Sequence, residues 1–457
     1  MAEKHTADSN EGISGSSLEV KNNPSNSPSR NDSHNRKLWT RSQARKWTIM
    51  LFIASCFLYC ARMAMPICAV KMAATFQWSK IDSGIVLGGF FWGYCLTQIL
   101  GGYASDRVGG ERVLFISALS WTLITIVTPL LVHLGSRTLV LMTMARFLMG
   151  LFQGVFFPSL ASLCSQRVTE NERGFMMSTL HSGVTLGTLL AGAIGSLLLE
   201  RYGWESVFYC TGFLSSLWTI AAWLFLIKGE VVLTQMETAT QSQWHLSQTH
   251  WLNLFKKPSI WAMVFAHLCM CGTGYILLSW LPTYFKETFP HATAWIYNIV
   301  PWLVAIPSAL IGGIFSDFLI SRGHSVAFVR KTTQFVAMGV SSVFIIYLTG
   351  NVTFPTAVTF VSIYVCLTTF TSSGVSVNVQ DLTPSCAGAL YGFMNMMGAF
   401  SGLVFVSLSG YLIEVTQSWA VIFSLITFLN TLGLVVFLIF GDAIRVDVDE
   451  HTPVLAC

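Results

Sequence analysis

The chain has 457 residues, of which 53% are hydrophobic and only 11% charged, against about 25% charged in an ordinary soluble protein. Its charge is segregated: residues 1–46 carry thirteen charged side chains, 228–257 five and 442–457 five, leaving 25 of the 48 for the other 365 residues. That excludes a soluble globular domain and, at about 20 residues per spanning helix, leaves room for about twelve spans, too many for a single-span receptor or an anchored enzyme.

Residues 1–46 form a Ser- and Asn-rich polar tail ending in Arg41, Arg45 and Lys46. Such a composition buries too little apolar surface to fold, so the tail is expected to be disordered and cytosolic. The first apolar run starts only at Trp47, and no secretory leader is expected ahead of it. Apolar runs follow near 47–70, 83–104, 113–134, 138–164, 174–199 and 205–227, which predicts an N-terminal six-helix bundle over 47–227. A cytosolic loop is expected at 228–258. Six more runs, near 259–285, 294–320, 332–350, 354–378, 386–413 and 418–440, predict a second bundle over 259–441 before a cytosolic tail at 442–457. With both tails inside, connections on the cytosolic side hold seventeen Lys and Arg against five on the other, as the positive-inside rule requires for an even number of spans.

Ten of the eleven cysteines lie in these runs, without the Cys/His spacing of a zinc site, and are read as small packing residues rather than a disulfide framework or metal ligands. A net charge of +4 with no basic block beside aromatic platforms gives no footprint for nucleic acid. No nucleophile elbow, Walker loop or metal-spaced His/Glu pair is visible, so an enzyme is not expected.

The two halves echo each other. Gly-Gly-Tyr-Ala-Ser-Asp at 101–106 returns as Gly-Gly-Ile-Phe-Ser-Asp at 312–317, and the spacing Gly195, Trp204, Phe208 returns as Gly410, Trp419, Phe423. Two echoes at nearly one offset indicate a parallel six-plus-six duplication, the organisation of transporters that rock two bundles about a central site. A seven-span receptor would show none. The first echo extends through Asp106, Arg107 and Arg112, with Asp317 and Arg322 as its second copy. A carboxylate and a guanidinium at a helix end can bond the helix termini of the opposing bundle, so these five residues are expected to gate access. Glycines at four-residue spacing, among them Gly89 with Gly93 and Gly150 with Gly154, predict close helix packing.

A cation deep in a spanning helix is a functional hypothesis by default, and two qualify. Arg62 lies sixteen residues beyond Lys46, about 24 Å along a helix. Arg146 lies nine residues past Arg137 on a helix entering from the other side, about 14 Å in. Both reach the non-cytosolic half of the bilayer, and neither span holds an acidic residue. Two such guanidiniums want an anion, and their forks suit carboxylate or phosphate; snorkelling or bonding to backbone at a kink near Pro66 is the competing role. Gln153 shares a face with Arg146, and Tyr59, Tyr94, Gln98, His181, His267 and Asn378 are further polar groups able to line a site or to pack.

The segment Gly84-x-x-x-Gly-Gly-Phe-Phe-Trp-Gly-Tyr-x-x-Thr-Gln98, the Arg146 segment running to Phe157-Pro158, Leu58-Tyr-Cys-Ala-Arg62, Pro301-Trp-Leu-Val-Ala-Ile-Pro307 and Ser376-Val-Asn-Val-Gln-Asp381 together resemble the vesicular organic-anion branch of the major facilitator superfamily. That branch includes glutamate, sialic-acid, type I phosphate and nucleotide transporters, and the likeness is strongest to the nucleotide-transporting members. It implies an all-α membrane protein of the major facilitator fold, with twelve transmembrane helices in two six-helix bundles. It also implies uptake of purine nucleotides (ATP, also ADP and GTP) from cytosol into secretory or lysosome-related vesicles, by alternating access and driven by membrane potential. Chloride is the expected activator, no cofactor is expected, and nothing sets an oligomeric state. The expected substrate-binding residues are Arg62, Arg146, Gln153, Tyr94, Tyr59, His181 and Asn378. Where glutamate-transporting members carry a histidine in helix 2, a glutamate in helix 4 and an arginine in helix 7, this chain has Leu87, Gln153 and Met270. The alternatives are another organic anion of the same branch or an anion channel.

Overall fold

A computed structural model describes residues 38–78, 80–134, 137–224, 254–292 and 294–446. The expected disorder of residues 1–37, most of the 228–258 loop and the tail beyond 446 lie outside these residues.

The apolar runs form helices in the expected order. The first half comprises α1 (Arg41–Phe76), α2 (Lys80–Val108), α3 (Gly110–Val127, continued as a 3₁₀ turn Thr128–Leu134), α4 (Thr138–Gly154 then Phe156–Arg167), α5 (Glu170–Tyr202) and α6 (Trp204–Ala222). The second comprises α7 (Pro258–Thr288), α8 (Ala294–Ser321) and α9 (Val326–Gln334, then Ser341–Ile346 after a π-helical turn). It closes with α10 (Phe354–Thr368, a 3₁₀ turn Thr369–Ser373, then Val375–Leu382), α11 (Ala387–Thr416) and α12 (Trp419–Phe440). Among the described residues, eleven helices are long and apolar enough to cross a membrane, and α6 is described only to residue 224.

One boundary differs from the sequence reading. The last residues of the 1–46 tail are ordered: Thr40 and Gln43 form a capping box that starts α1 at Arg41, and Trp39 stacks on Trp47 at 4.9 Å. The reciprocal bonds satisfy the first orphan amides, which lets the helix begin six residues before its apolar run.

In water these helices would be unstable, since residues such as Phe91, Trp92, Leu100, Ile220 and Phe428 point outward and are more than half exposed. In lipid such a surface is matched, and packing between helices comes from shape. The close pairing of α2 with α4 shows how. A Cβ on Gly93 would strike the Phe147 carbonyl, and one on Gly150 the Phe90 carbonyl. The two backbones therefore touch at the level of Arg146, four residues before Gly150.

Across the halves the pairing is reciprocal. The second helix of each half packs on the fifth of the other, α2 on α11 and α8 on α5. The duplicated Gly-Gly-x-x-Ser-Asp segments lie at these two crossings.

Candidate functional site

The two intramembrane arginines, Arg146 buried and Arg62 half-buried, share one platform. The guanidinium carbons of Arg62 on α1 and Arg146 on α4 each lie 4.9 Å from the centroid of the Phe90 ring of α2. Arg62 also faces the rings of Tyr59, at 4.4 Å, and Tyr94, at 4.9 Å. Its Nε donates to Gln153 Oε1 at 3.1 Å and its Nη1 to Tyr59 Oη at 3.1 Å, leaving Nη2 unpartnered. Gln153 is held in turn by donating from Nε2 to the Leu58 carbonyl at 3.3 Å. Arg146 is 4% exposed; it donates to Met149 Sδ at 3.5 Å, and its Nε has no partner. Among the described residues neither arginine takes part in an ion pair.

The energetics of this layer are open on one side. Ring faces contribute about 0.5–2 kcal/mol to a cation, whereas burying one costs several kcal/mol. The two like charges also repel, by on the order of 2 kcal/mol at an effective dielectric of about 20. A polyanion with oxygens between the two forks would remove the repulsion and fill the unused donors.

The other expected site residues divide. Tyr59, Tyr94 and Gln153 belong to the arginine layer. His181 accompanies it at one remove: its Nδ1 lies 2.9 Å from the Met177 carbonyl and its ring 5.9 Å from Phe157, which packs on Tyr59 at 6.4 Å. Asn378 is fully buried with both carboxamide atoms unpartnered, one turn before Asp381 on α10 and thus near the end of the molecule that carries most of the basic residues.

At that basic end the duplicated carboxylates accept from backbone amides of the opposite half. Asp106 accepts from the backbone amides of Gly388 and Ala389 in the first turn of α11, both at 3.0 Å. Asp317 accepts from the amides of Gly174 and Phe175 on α5 at 3.1 and 2.7 Å. The amides that Asp106 meets are among the orphan donors of the α11 start, whereas those that Asp317 meets lie in the second turn of α5. Gly102 and Gly388 allow the approach, because a Cβ on Gly102 would overlap the Gly388 carbonyl.

The arginines of the duplicated motif do not join these contacts. Arg107 lies over Tyr103 at 4.7 Å and Arg322 over Phe318 at 4.9 Å, and both, like Arg112, are exposed. Instead, Asp381 on α10 is clamped between Arg173 of α5 and Arg330 of α9. Arg173 Nη1 donates to Asp381 Oδ1 at 3.0 Å and Arg330 Nε to Oδ2 at 2.8 Å, with side chains 8%, 3% and 1% exposed. Arg173 further binds the Ser165 and Val168 carbonyls, and Arg330 the Ser316 hydroxyl and the Ser373 carbonyl. Residues 156–165 of α4 and 371–383 of α10 are buried around this triad, so the basic end is closed. Sequence reasoning missed the triad because each of its members stands near the end of an apolar run, where charge is ordinary.

The Major Facilitator Superfamily family model matches residues 50–406. The chain is 49% identical over 414 residues to the human voltage-gated purine nucleotide uniporter SLC17A9, covering 90% of this chain and 95% of that one. It is 48% identical to the rat protein of the same name, covering 90% and 92%. Among solved structures it resembles the proton:xylose symporter XylE at a TM-score of 0.70 and 14% identity, covering 90% and 98%. The chain belongs to the major facilitator superfamily.

Proposed function

We propose that this protein is a uniporter for purine nucleotides, ATP with ADP and GTP, working by alternating access. The observation that carries the reading is the pair of guanidiniums on Phe90, Arg146 buried and Arg62 half-buried, with unpartnered donors and, among the described residues, no ion pair. Guanidinium forks fit phosphate oxygens bidentately, and a triphosphate supplies enough negative charge for two of them. The human and rat proteins that the chain resembles are named for purine nucleotides, which accords with this reading. The seventeen-to-five bias of Lys and Arg supports cytosolic termini, so transport would run from cytosol into the lumen of a secretory or lysosome-related vesicle, with chloride as an activator.

The test is uptake by purified protein in liposomes under an imposed potential. Saturable ATP uptake should be inhibited by ADP and GTP and not by glutamate. Arg146→Ala should abolish it, and Arg146→Lys should rescue poorly, because an ammonium lacks the planar fork. Wild-type uptake by folded Arg146→Ala protein would remove the arginine from the site, and competition by glutamate would point to another organic anion.

A further inference from the structure

The arginine layer accounts for one end of a nucleotide. Along α2 toward the basic end, Phe90, Tyr94, Gln98, Gly102 and Asp106 recur at four-residue intervals, each step about 6 Å. Phe90 and Tyr94 belong to the arginine layer, and Gly102 and Asp106 to the contact with α11. Gln98 stands between them, eight residues and so about 12 Å from Phe90.

Gln98 is fully buried beside Tyr94, and neither its carboxamide oxygen nor its nitrogen has a partner in hydrogen-bond geometry. Its backbone is pressed against Gly392 of α11, which puts the neighbouring Tyr391 at the same level. The Tyr391 ring, 2% exposed, lies 6.2 Å from that of His267 on α7. His267 is 4% exposed; its Nε2 is 3.4 Å from Cys271 Sγ, its Nδ1 lacks a hydrogen-bond partner, and Asn395 lies beside it. Across the halves, His181 of α5 is within electrostatic range of it. Buried polar groups are rarely left unbonded, and each exception calls for a cause. Here two of them, from opposite halves, stand at about one level, Gln98 beside Tyr94 and His267 beside the Tyr391 ring.

We propose that this layer is the nucleobase end of the substrate site. It rests on the nucleotide reading above and adds an orientation: phosphates at Arg62 and Arg146, base toward the basic end. Gln98 offers one donor and one acceptor, the pattern with which a carboxamide pairs with an adenine edge. Tyr391 supplies a ring face for stacking, and His267 Nδ1 a further polar contact. The separation of the two layers matches the reach of a ribose and its first phosphates.

The test is calorimetric titration of the purified full-length protein with ATP and, separately, with inorganic tripolyphosphate, which has the phosphates and no base. The wild-type protein should bind ATP more tightly. Gln98→Leu and, independently, His267→Leu should each reduce that advantage about tenfold and leave tripolyphosphate binding unchanged. Arg146→Ala should weaken both ligands. A folded Gln98→Leu or His267→Leu variant that keeps the full ATP advantage overturns the base end, and so do equal affinities of the wild-type protein for the two ligands. Tripolyphosphate binding that Arg146→Ala leaves intact overturns the phosphate reading instead.

Discussion

Gln153 decides the electrostatics of the arginine layer. It sits where a carboxylate would neutralise Arg62, and offers a neutral oxygen at 3.1 Å instead. A hydrogen bond fixes the guanidinium without cancelling its charge, which leaves the charge for a ligand. Gln153→Glu should therefore lower ATP uptake about tenfold or more at neutral pH by supplying a resident counter-ion. Because protonation turns that carboxylate back into a neutral group, uptake by the variant should recover as pH falls. Initial rates at fixed potential across a pH series measure this; a variant as active as wild type at neutral pH sinks the argument. Arg62 and Arg146 were legible in the sequence because a charge inside an apolar run is anomalous, and Gln153 because it lies seven residues from Arg146 on one helix. The level of Gln98, Tyr391 and His267 was not, since it is set by the crossing of α2 with α11 and by a ring contact between α7 and α11.

At the scale of helices, the duplicated carboxylates tie α2 to α11 and α8 to α5, and the Arg173–Asp381–Arg330 triad ties α5 to α9 and α10. Repetition of Asp106 as Asp317 could be read in the sequence, and each does reach the opposite half. The triad could not be: its partners are 208 and 51 residues apart. It also explains why the runs end where they do in sequence. The predicted ninth and tenth spans, 332–350 and 354–378, stop short of Arg330 and Asp381, yet α9 begins at Val326 and α10 extends to Leu382 because the charges neutralise one another inside. Asp106→Asn should slow turnover and leave equilibrium ATP binding nearly unchanged, measured as uptake rate against titration; lost binding in folded protein would contradict a gating role. Asp381→Asn leaves two buried guanidiniums unneutralised, a loss of about 3–5 kcal/mol for the closed arrangement. The basic end should then open more often. Cys164, fully buried within electrostatic range of all three triad members, reports it: its modification by a water-soluble thiol reagent should quicken in the variant, and unchanged labelling would dissociate the triad from closure.

For the molecule as a whole, the question is what drives net movement. Helices α1 and α4 contain no acidic residue, and those of α2 and α7 lie near the helix ends. Gln153 cannot carry a proton on and off, so these four helices offer the centre no carboxylate for obligatory proton coupling. The potential alone is large enough. Moving one charge through 100 mV is worth about 2.3 kcal/mol, so an anion of charge near minus four gains about 9 kcal/mol, on the order of a millionfold at equilibrium. Histidines are the remaining groups able to couple a proton near neutral pH, and the described centre holds His181 and His267. Both are engaged at one nitrogen, His181 with the Met177 carbonyl and His267 with Cys271. Liposomes with a potassium-diffusion potential, positive inside, and no pH gradient should accumulate ATP; a pH gradient clamped at zero potential should not. Accumulation in the second arrangement and none in the first would mean that a histidine, not the potential, couples transport, and His181→Gln and His267→Gln would then show which one.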